Sequence, residues 1–226
     1  MLLKDLRDEP VQLLELGVQN GGSLEIWRKY FHHYEAQIFG VDIDNNICKL
    51  IFPSGVKTFC FDLASEEIHN WRIGREFDII IDDASHINSH MTFDFTVLFQ
   101  NLRPGGIYII EDVHASYWTP KHLGGLRKPE SAIEFFKLII DIIHMDYIQQ
   151  DDVEVFHKDY IEVFGKDLVE YYINWIKSIR FEDSMIIITK HLSAQVESLK
   201  RVQSGKLTPT LDVSKPEYLD NTANFL

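Results

Sequence analysis

The sequence predicts an α/β fold: a mostly parallel seven-stranded sheet with an antiparallel C-terminal hairpin and helices on both faces. Five short runs of apolar and β-branched residues alternate with stretches of helical period, the mark of a parallel sheet. Two further runs near the end are joined by only Glu182-Asp183, a connection that fits a hairpin. Several of the early runs stop abruptly at acids or at a glycine turn, at the strand ends where open α/β sheets bind ligands.

The five runs span 11–16, 37–41, 57–61, 77–81 and 107–110, and each reads as a buried strand. After Ser23, the residues Leu24, Trp27 and Phe31 recur at helical spacing. Phe95, Leu98, Phe99 and Leu102 do the same before Arg103-Pro104-Gly105-Gly106, which reads as a turn. Segment 131–147 is amphipathic through Ile133, Phe136, Ile140 and Ile143, and 168–176 reads as a shorter helix. Runs 176–181 and 184–190 form the hairpin at the sheet edge. Tyr117, Trp118, Pro120, His122, Gly124 and Gly125 crowd a loop after the fifth strand, where a lid is expected. The expected organisation is one domain over 1–191, with a lid or insertion at about 115–175, followed by a polar tail over 192–226.

The chain of 226 residues carries 22 Lys+Arg against 35 Asp+Glu, a formal net charge of −13. That balance argues against a general nucleic-acid binder, whose affinity comes from cations on phosphates. No run approaches the roughly 18 consecutive apolar residues of a membrane span, and the first residues lack the apolar core of a secretory signal. A cytoplasmic protein is expected. Cys48 and Cys60 are too few and too poorly spaced for a disulfide framework or a zinc site, and Cys60, in an apolar run, reads as a small buried hydrophobe.

The first strand runs into Glu15-Leu16-Gly17-Val18-Gln19-Asn20-Gly21-Gly22-Ser23. Glycines permit a sharp turn and close ligand approach, and the following helix supplies free N–H groups. The spacing is not the G-x-G-x-x-G of a dinucleotide site. Glu15 would repel a pyrophosphate but suits a cationic ligand. The second strand ends at Asp42, where a carboxylate can accept both ribose hydroxyls, and the third at Asp62, in reach of an adenine edge. Taken singly each acid reads as a solvated strand end or a cap; in order after three successive strands they make a nucleoside site.

The strings ELGVQNGGS, FGVDID and FD resemble the class I S-adenosylmethionine-dependent methyltransferases, whose Rossmann-like fold is then expected across about 11–190. The resemblance implies that Gly17 and Gly21 line the methionine part of S-adenosyl-L-methionine, that Asp42 holds the ribose and that Asp62 lies near the adenine. Glu15, Ser23 and Asp82 complete the expected cofactor side.

The fourth strand ends Ile81-Asp82-Asp83-Ala84-Ser85-His86 and the fifth Ile110-Glu111-Asp112-Val113-His114. Acids at the ends of adjacent strands, about 4.8 Å apart, either repel or share a cation. Asp83, Glu111 and Asp112 supply hard oxygen ligands suited to Mg2+. Strand alternation turns Asp82 away from Asp83 and out of the ligand set. His86, three residues after Asp83, suits general-base work on an acceptor hydroxyl. The plainer reading of an isolated DDASH makes the acid a helix cap and the histidine a loop residue.

IDDASH followed by LRPGGIYIIEDVHASYW is similar to the metal-dependent sugar O-methyltransferases of the mycinamicin and rhamnosyl type. The resemblance implies that Asp83, Glu111 and Asp112 bind Mg2+ and that His86 is the base. Ala84 and Ala115 stand where that group usually has Gly and Thr, and with about ten residues before the first strand, the N-terminal helical segment common in that group is expected to be missing or shortened here. His114, Tyr117 and Trp118 form an expected sugar-binding wall, or else anchor the loop. His32, His33 and His90 show no partner pattern. The expected partner is a sugar or glycoside acceptor, with a homo-oligomer as a further option. Weighed beside this are a catechol-type O-methyltransferase, an iron hydroxylase, a nicotinamide oxidoreductase and a non-catalytic cofactor-binding partner protein.

Overall fold

The structure is a computed structural model, and it describes residues 2–119, 124–145, 148, 152, 155, 160 and 165–195. Among these residues the strands β1 (Gln12–Leu16), β2 (Gln37–Asp42), β3 (Val56–Cys60), β4 (Phe77–Asp82), β5 (Leu102–Ile110), β6 (Ile176–Glu182) and β7 (Met185–Lys190) form one seven-stranded sheet. Its order is β3-β2-β1-β4-β5-β7-β6. The first five strands run parallel, and β7 lies antiparallel between β5 and β6. The expected fold class is therefore present, and all five parallel strands end on one rim.

Both faces of the sheet are covered, which is why its central strands read as continuous apolar runs rather than as alternating ones. Leu14, Leu16, Ile80, Tyr108, Ile110 and Ile188 bury one face with Phe95, Phe136 and Tyr172. These aromatics come from α3 (Asn88–Leu98), α4 (Ala132–Ile142) and α5 (Lys166–Trp175). Leu13, Ile79, Ile81, Ile109 and Ile187 bury the other face against Leu24 of α1 (Gly22–Tyr30). A short α2 (Glu67–Trp71) adds Ile68 to the first face. The helices expected at 131–147 and 168–176 correspond to α4 and α5. Residues 120–123, 146–147, 149–151, 153–154, 156–159 and 161–164 of the expected lid or insertion and 196–226 of the expected tail lie outside the described residues.

Two expectations are corrected. Arg103–Gly106, read as a turn, belongs to β5, which starts at Leu102. The β4–β5 ladder passes from the pair Phe77 and Leu102 to the pair Ile79 and Ile107, so the extra residues of β5 are taken up in a bulge. Arg103 is held there by Asp78 at 2.9 Å and Gly105 N–H by His191 O at 3.1 Å. Leu102, placed at the end of a helical stripe, opens this strand; α3 stops at Leu98 and a 3-10 turn, Phe99–Asn101, links the two. Leu102 O also accepts from the buried Lys190 ammonium at 2.6 Å, which lies over the rings of Phe99, Tyr171 and Trp175. Burial lowers the pKa of Lys190 to about 8.

Cys48 and Cys60, given no role from their spacing, form a disulfide. The reason is the path of the loop between β2 and β3. Parallel pairing sets Cys60 beside Asp42, and a 3-10 turn at Ile47–Lys49 brings Cys48 back over it, with a Cα–Cα distance of 6.2 Å. Spacing alone carries no information about such a return. Closing a loop of this length stabilises a protein by about 3 kcal/mol in the chain-entropy account. Reduction, or Cys60→Ser, should therefore lower the thermal midpoint by several degrees in a calorimetric melt, with the Cys48→Ser, Cys60→Ser double variant insensitive to reductant.

Candidate active site at the carboxyl rim

The glycine turn and the acidic loop are in backbone contact. Gly17 has φ +83°, a conformation that glycine adopts without penalty, and a Cβ there would stand 2.3 Å from Asp83 O and 2.6 Å from Ala84 Cα. Asp83 N–H donates to Leu16 O at 2.9 Å and Glu111 N–H to Asp82 O at 2.9 Å, so the ladder continues one residue past β4 and β5. Gly21, at φ +84°, meets the Phe52 ring in the same way. At these two positions the glycines serve packing within the protein, whatever they do for a ligand.

Asp42, expected to hold a ribose, also organises the turn. One of its oxygens accepts from Val18 N–H at 2.7 Å and Gln19 N–H at 3.0 Å, and the other from Asp44 N–H at 2.8 Å. A carboxylate has about four lone-pair sites, so acceptor capacity remains beside those three bonds. Asp62 is exposed at the end of the third strand's path and accepts from Ala64 N–H at 3.0 Å. Glu15 is buried under the turn, accepting from Ser23 Oγ at 2.8 Å and Trp27 Nε1 at 3.2 Å. Burial raises its pKa to about 7, against the lowering effect of those two bonds, with Asp83 and Glu111 adding repulsion.

Asp83, His86 and Asp112 converge, each offering a ligand atom within 4.8 Å of the others. His86 Nε2 lies 3.9 Å from Asp83 Oδ1 and 3.7 Å from Asp112 Oδ2. Both His86 and Asp112 sit in the left-handed region, at φ 54° and 52°. Non-glycine residues are held there at a cost and gather at functional sites. Glu111 is half-buried beside them. Its pKa is raised by burial and by the charges of Asp83 and Asp112, and that of Asp83 by burial and Asp112 against the lowering pull of His86. Like charges pressed together at one edge, with an imidazole between two of them, make a donor set that fits a hard divalent cation.

Asp82, expected on the cofactor side, instead turns to the opposite face and is fully buried, with Oδ1 accepting from Ala84 N–H at 3.4 Å and Oδ2 lacking a partner among the described residues. Burial drives its pKa upward, with the charge of Asp83 adding to the effect, and that of Asp94, a buried acid of α3 that the sequence reading passed over, is raised by burial and by the charge of Asp82. The signal for Asp94 was an acid inside the otherwise apolar stripe around Phe93 and Phe95. His90 also has a partner, Ser85 Oγ at 2.9 Å, which braces the DDASH loop. His32 faces Asp8 at 2.9 Å, far from the rim in sequence and use. His114 packs edge-on against Trp118 at 4.8 Å, and Tyr117 and Trp118 are exposed beside the acids.

No protein-family model matches the chain. An L-olivosyl-oleandolide 3-O-methyltransferase of Streptomyces antibioticus is 37% identical over 158 residues, 64% of this chain and 39% of that protein. A mycinamicin VI 2''-O-methyltransferase of Micromonospora griseorubida is 35% identical over 162 residues, 66% of this chain and 39% of that one. Among solved structures, the MycE methyltransferase of the mycinamycin biosynthetic pathway in complex with Mg, SAH and mycinamycin VI superposes with a TM-score of 0.68. It is 27% identical, with 83% of this chain and 46% of that one covered. The chain thus spans about two-fifths of the length of the curated relatives it matches.

Because Glu15 holds its proton to about pH 7 when folded and to an ordinary 4.5 when unfolded, the native state binds the extra proton between those values. Stability in metal-free buffer should then fall as pH rises from about 4.5 to 7, by about 3 kcal/mol from this group. Glu15→Gln should reduce the slope of thermal midpoint against pH over that range, leaving the part that comes from Asp82 and the other raised acids. Gly17→Ala should cost at least about 1–2 kcal/mol from the left-handed backbone alone, read by denaturant unfolding. In sequence and in its Rossmann-like methyltransferase fold, this chain is a homologue of the bacterial sugar O-methyltransferases over roughly two-thirds of its own length.

Proposed function

We propose that the protein transfers the methyl group of S-adenosyl-L-methionine to a hydroxyl of a sugar or glycosylated small molecule, with Mg2+ at the rim. The observation that carries this reading is the convergence of Asp83, His86 and Asp112 within 4.8 Å, immediately beside the Gly17 turn. The cofactor side of the site would be Glu15, Gly17, Gly21, Ser23, Asp42 and Asp62. Glu15 is the buried acid nearest the turn, and a cationic ligand there would favour its ionised form. Asp82, facing the apolar interior with Asp94, supports the floor of the loop in this reading.

Asp83, Glu111 and Asp112 would hold the cation, whose chemistry is to bind acceptor oxygens and ease ionisation of the hydroxyl to be methylated. His86 takes the proton from that hydroxyl. The freed oxygen lone pair forms the new O–CH3 bond as the C–S bond breaks, and its electron pair stays on sulfur to leave S-adenosylhomocysteine. The proton then passes from His86 to water. Tyr117 and Trp118, exposed next to Asp112, offer apolar faces to the C–H side of a pyranose, with His114 as a polar contact between them.

General acid–base groups commonly contribute about 10²–10⁴-fold, so His86→Ala should lower kcat by that order while S-adenosylhomocysteine affinity in calorimetric titration is kept. Unchanged kcat would remove His86 as the base. Rates with vicinal diols of sugars against those of catechols separate the sugar reading from the catechol one; preference for catechol would overturn the acceptor class.

A further inference from the structure

We propose that Ser184, in the hairpin turn between β6 and β7, is a positioning residue that holds Asp112 ready for the cation by fixing His114. The inference rests on the metal reading of the rim given above. Its basis is the strand order. Because β7 is antiparallel to β5, with Ile186 opposite Ile110, the turn at Asp183-Ser184 lies just past the carboxyl end of β5. It is the C-terminal hairpin's point of approach to the acids.

Ser184 makes two bonds to the segment following Asp112. Its carbonyl accepts from Val113 N–H at 3.1 Å, and its hydroxyl is hydrogen-bonded to His114 Nδ1. That same nitrogen is 3.7 Å from Asp112 Oδ1, while Asp112 Oδ2 is 3.7 Å from His86 Nε2. The carboxylate is therefore flanked by one imidazole on each side. His86 belongs to the loop after β4, whereas His114 is bonded to Ser184 and packs against the edge of Trp118. Asp112 is half-exposed, and as the residue before a 3-10 turn it makes no side-chain capping bond of its own. The two imidazoles at 3.7 Å bracket it, and ordering an exposed carboxylate before the cation arrives reduces the entropy lost on binding.

The test uses Mn2+ alone as probe, with affinity read by calorimetry and by the electron paramagnetic resonance of free Mn2+. Ser184→Gly removes the hydroxyl, suits the φ of 59° and keeps the carbonyl for Val113; Ser184→Ala checks it with a Cβ present. Loss of such an outer partner commonly costs about 10- to 100-fold in metal affinity. We expect Mn2+ binding to weaken about tenfold in both variants, with the thermal midpoint of Ser184→Gly and the S-adenosylhomocysteine affinity unchanged. In a His114→Ala background, Ser184→Gly should have no further effect, since the hydroxyl acts through that ring. Wild-type Mn2+ affinity in Ser184→Gly overturns the proposal while leaving the metal site standing. Additive losses in the double variant overturn the route through His114. No Mn2+ binding by the wild-type protein overturns the metal reading, and the proposal with it.

Discussion

Neighbouring parallel strands keep their ends about 4.8 Å apart, and here the two central ones, β4 and β5, both run out into acids. Asp83, Glu111 and Asp112 are brought to one edge by the backbone ladder, which continues through Asp83 N–H and Glu111 N–H beyond the strands proper. Their mutual repulsion is a consequence of strand order that no loop adjustment removes. The rest of the rim is arranged around it. His86 stands between two of the carboxylates, and the pKa values of Asp83 and Glu111 are raised by burial first and by the neighbouring carboxylates second. The proposed cation is the charge that would reverse that repulsion.

The second constraint is steric. Gly17 lies directly against the backbone of Asp83 and Ala84, so the turn after β1 and the loop after β4 share one position in space. Asp42 fastens the far side of the same turn through Val18 and Gln19. A ligand seated on the turn would therefore lie against the acidic loop with no intervening layer. That is the geometry a methyl transfer needs, where donor and acceptor must meet end to end.

Beneath the rim the sheet is apolar on both faces, and the exceptions are informative. Glu15, Asp82 and Asp94 are acids in places built for aliphatic side chains, each with its pKa raised by burial. Glu15 has its hydrogen bonds from Ser23 and Trp27, whereas Asp82 keeps one oxygen without a partner among the described residues. Buried polar groups of this kind reduce stability relative to an apolar replacement. They sit directly under the two loops that carry the proposed chemistry.

Much of this was legible in order along the chain. Apolar runs marked the strands, their abrupt acidic ends marked the rim, and alternation placed Asp82 opposite Asp83. The motif resemblance agreed with the relatives found. What escaped were particular contacts of single side chains: Cys48 with Cys60, Ser85 with His90, and Ser184 with His114. The bulge that absorbs Arg103–Gly106 escaped as well, since a Pro-Gly-Gly string has the same local preference in a turn and in a bulge. By itself the sequence determined which segments are strands and which chemical groups end them, because burial pattern and period are local properties. Only the tertiary structure decided which polar groups meet, because strand order and loop path set distances between residues that no short pattern encodes.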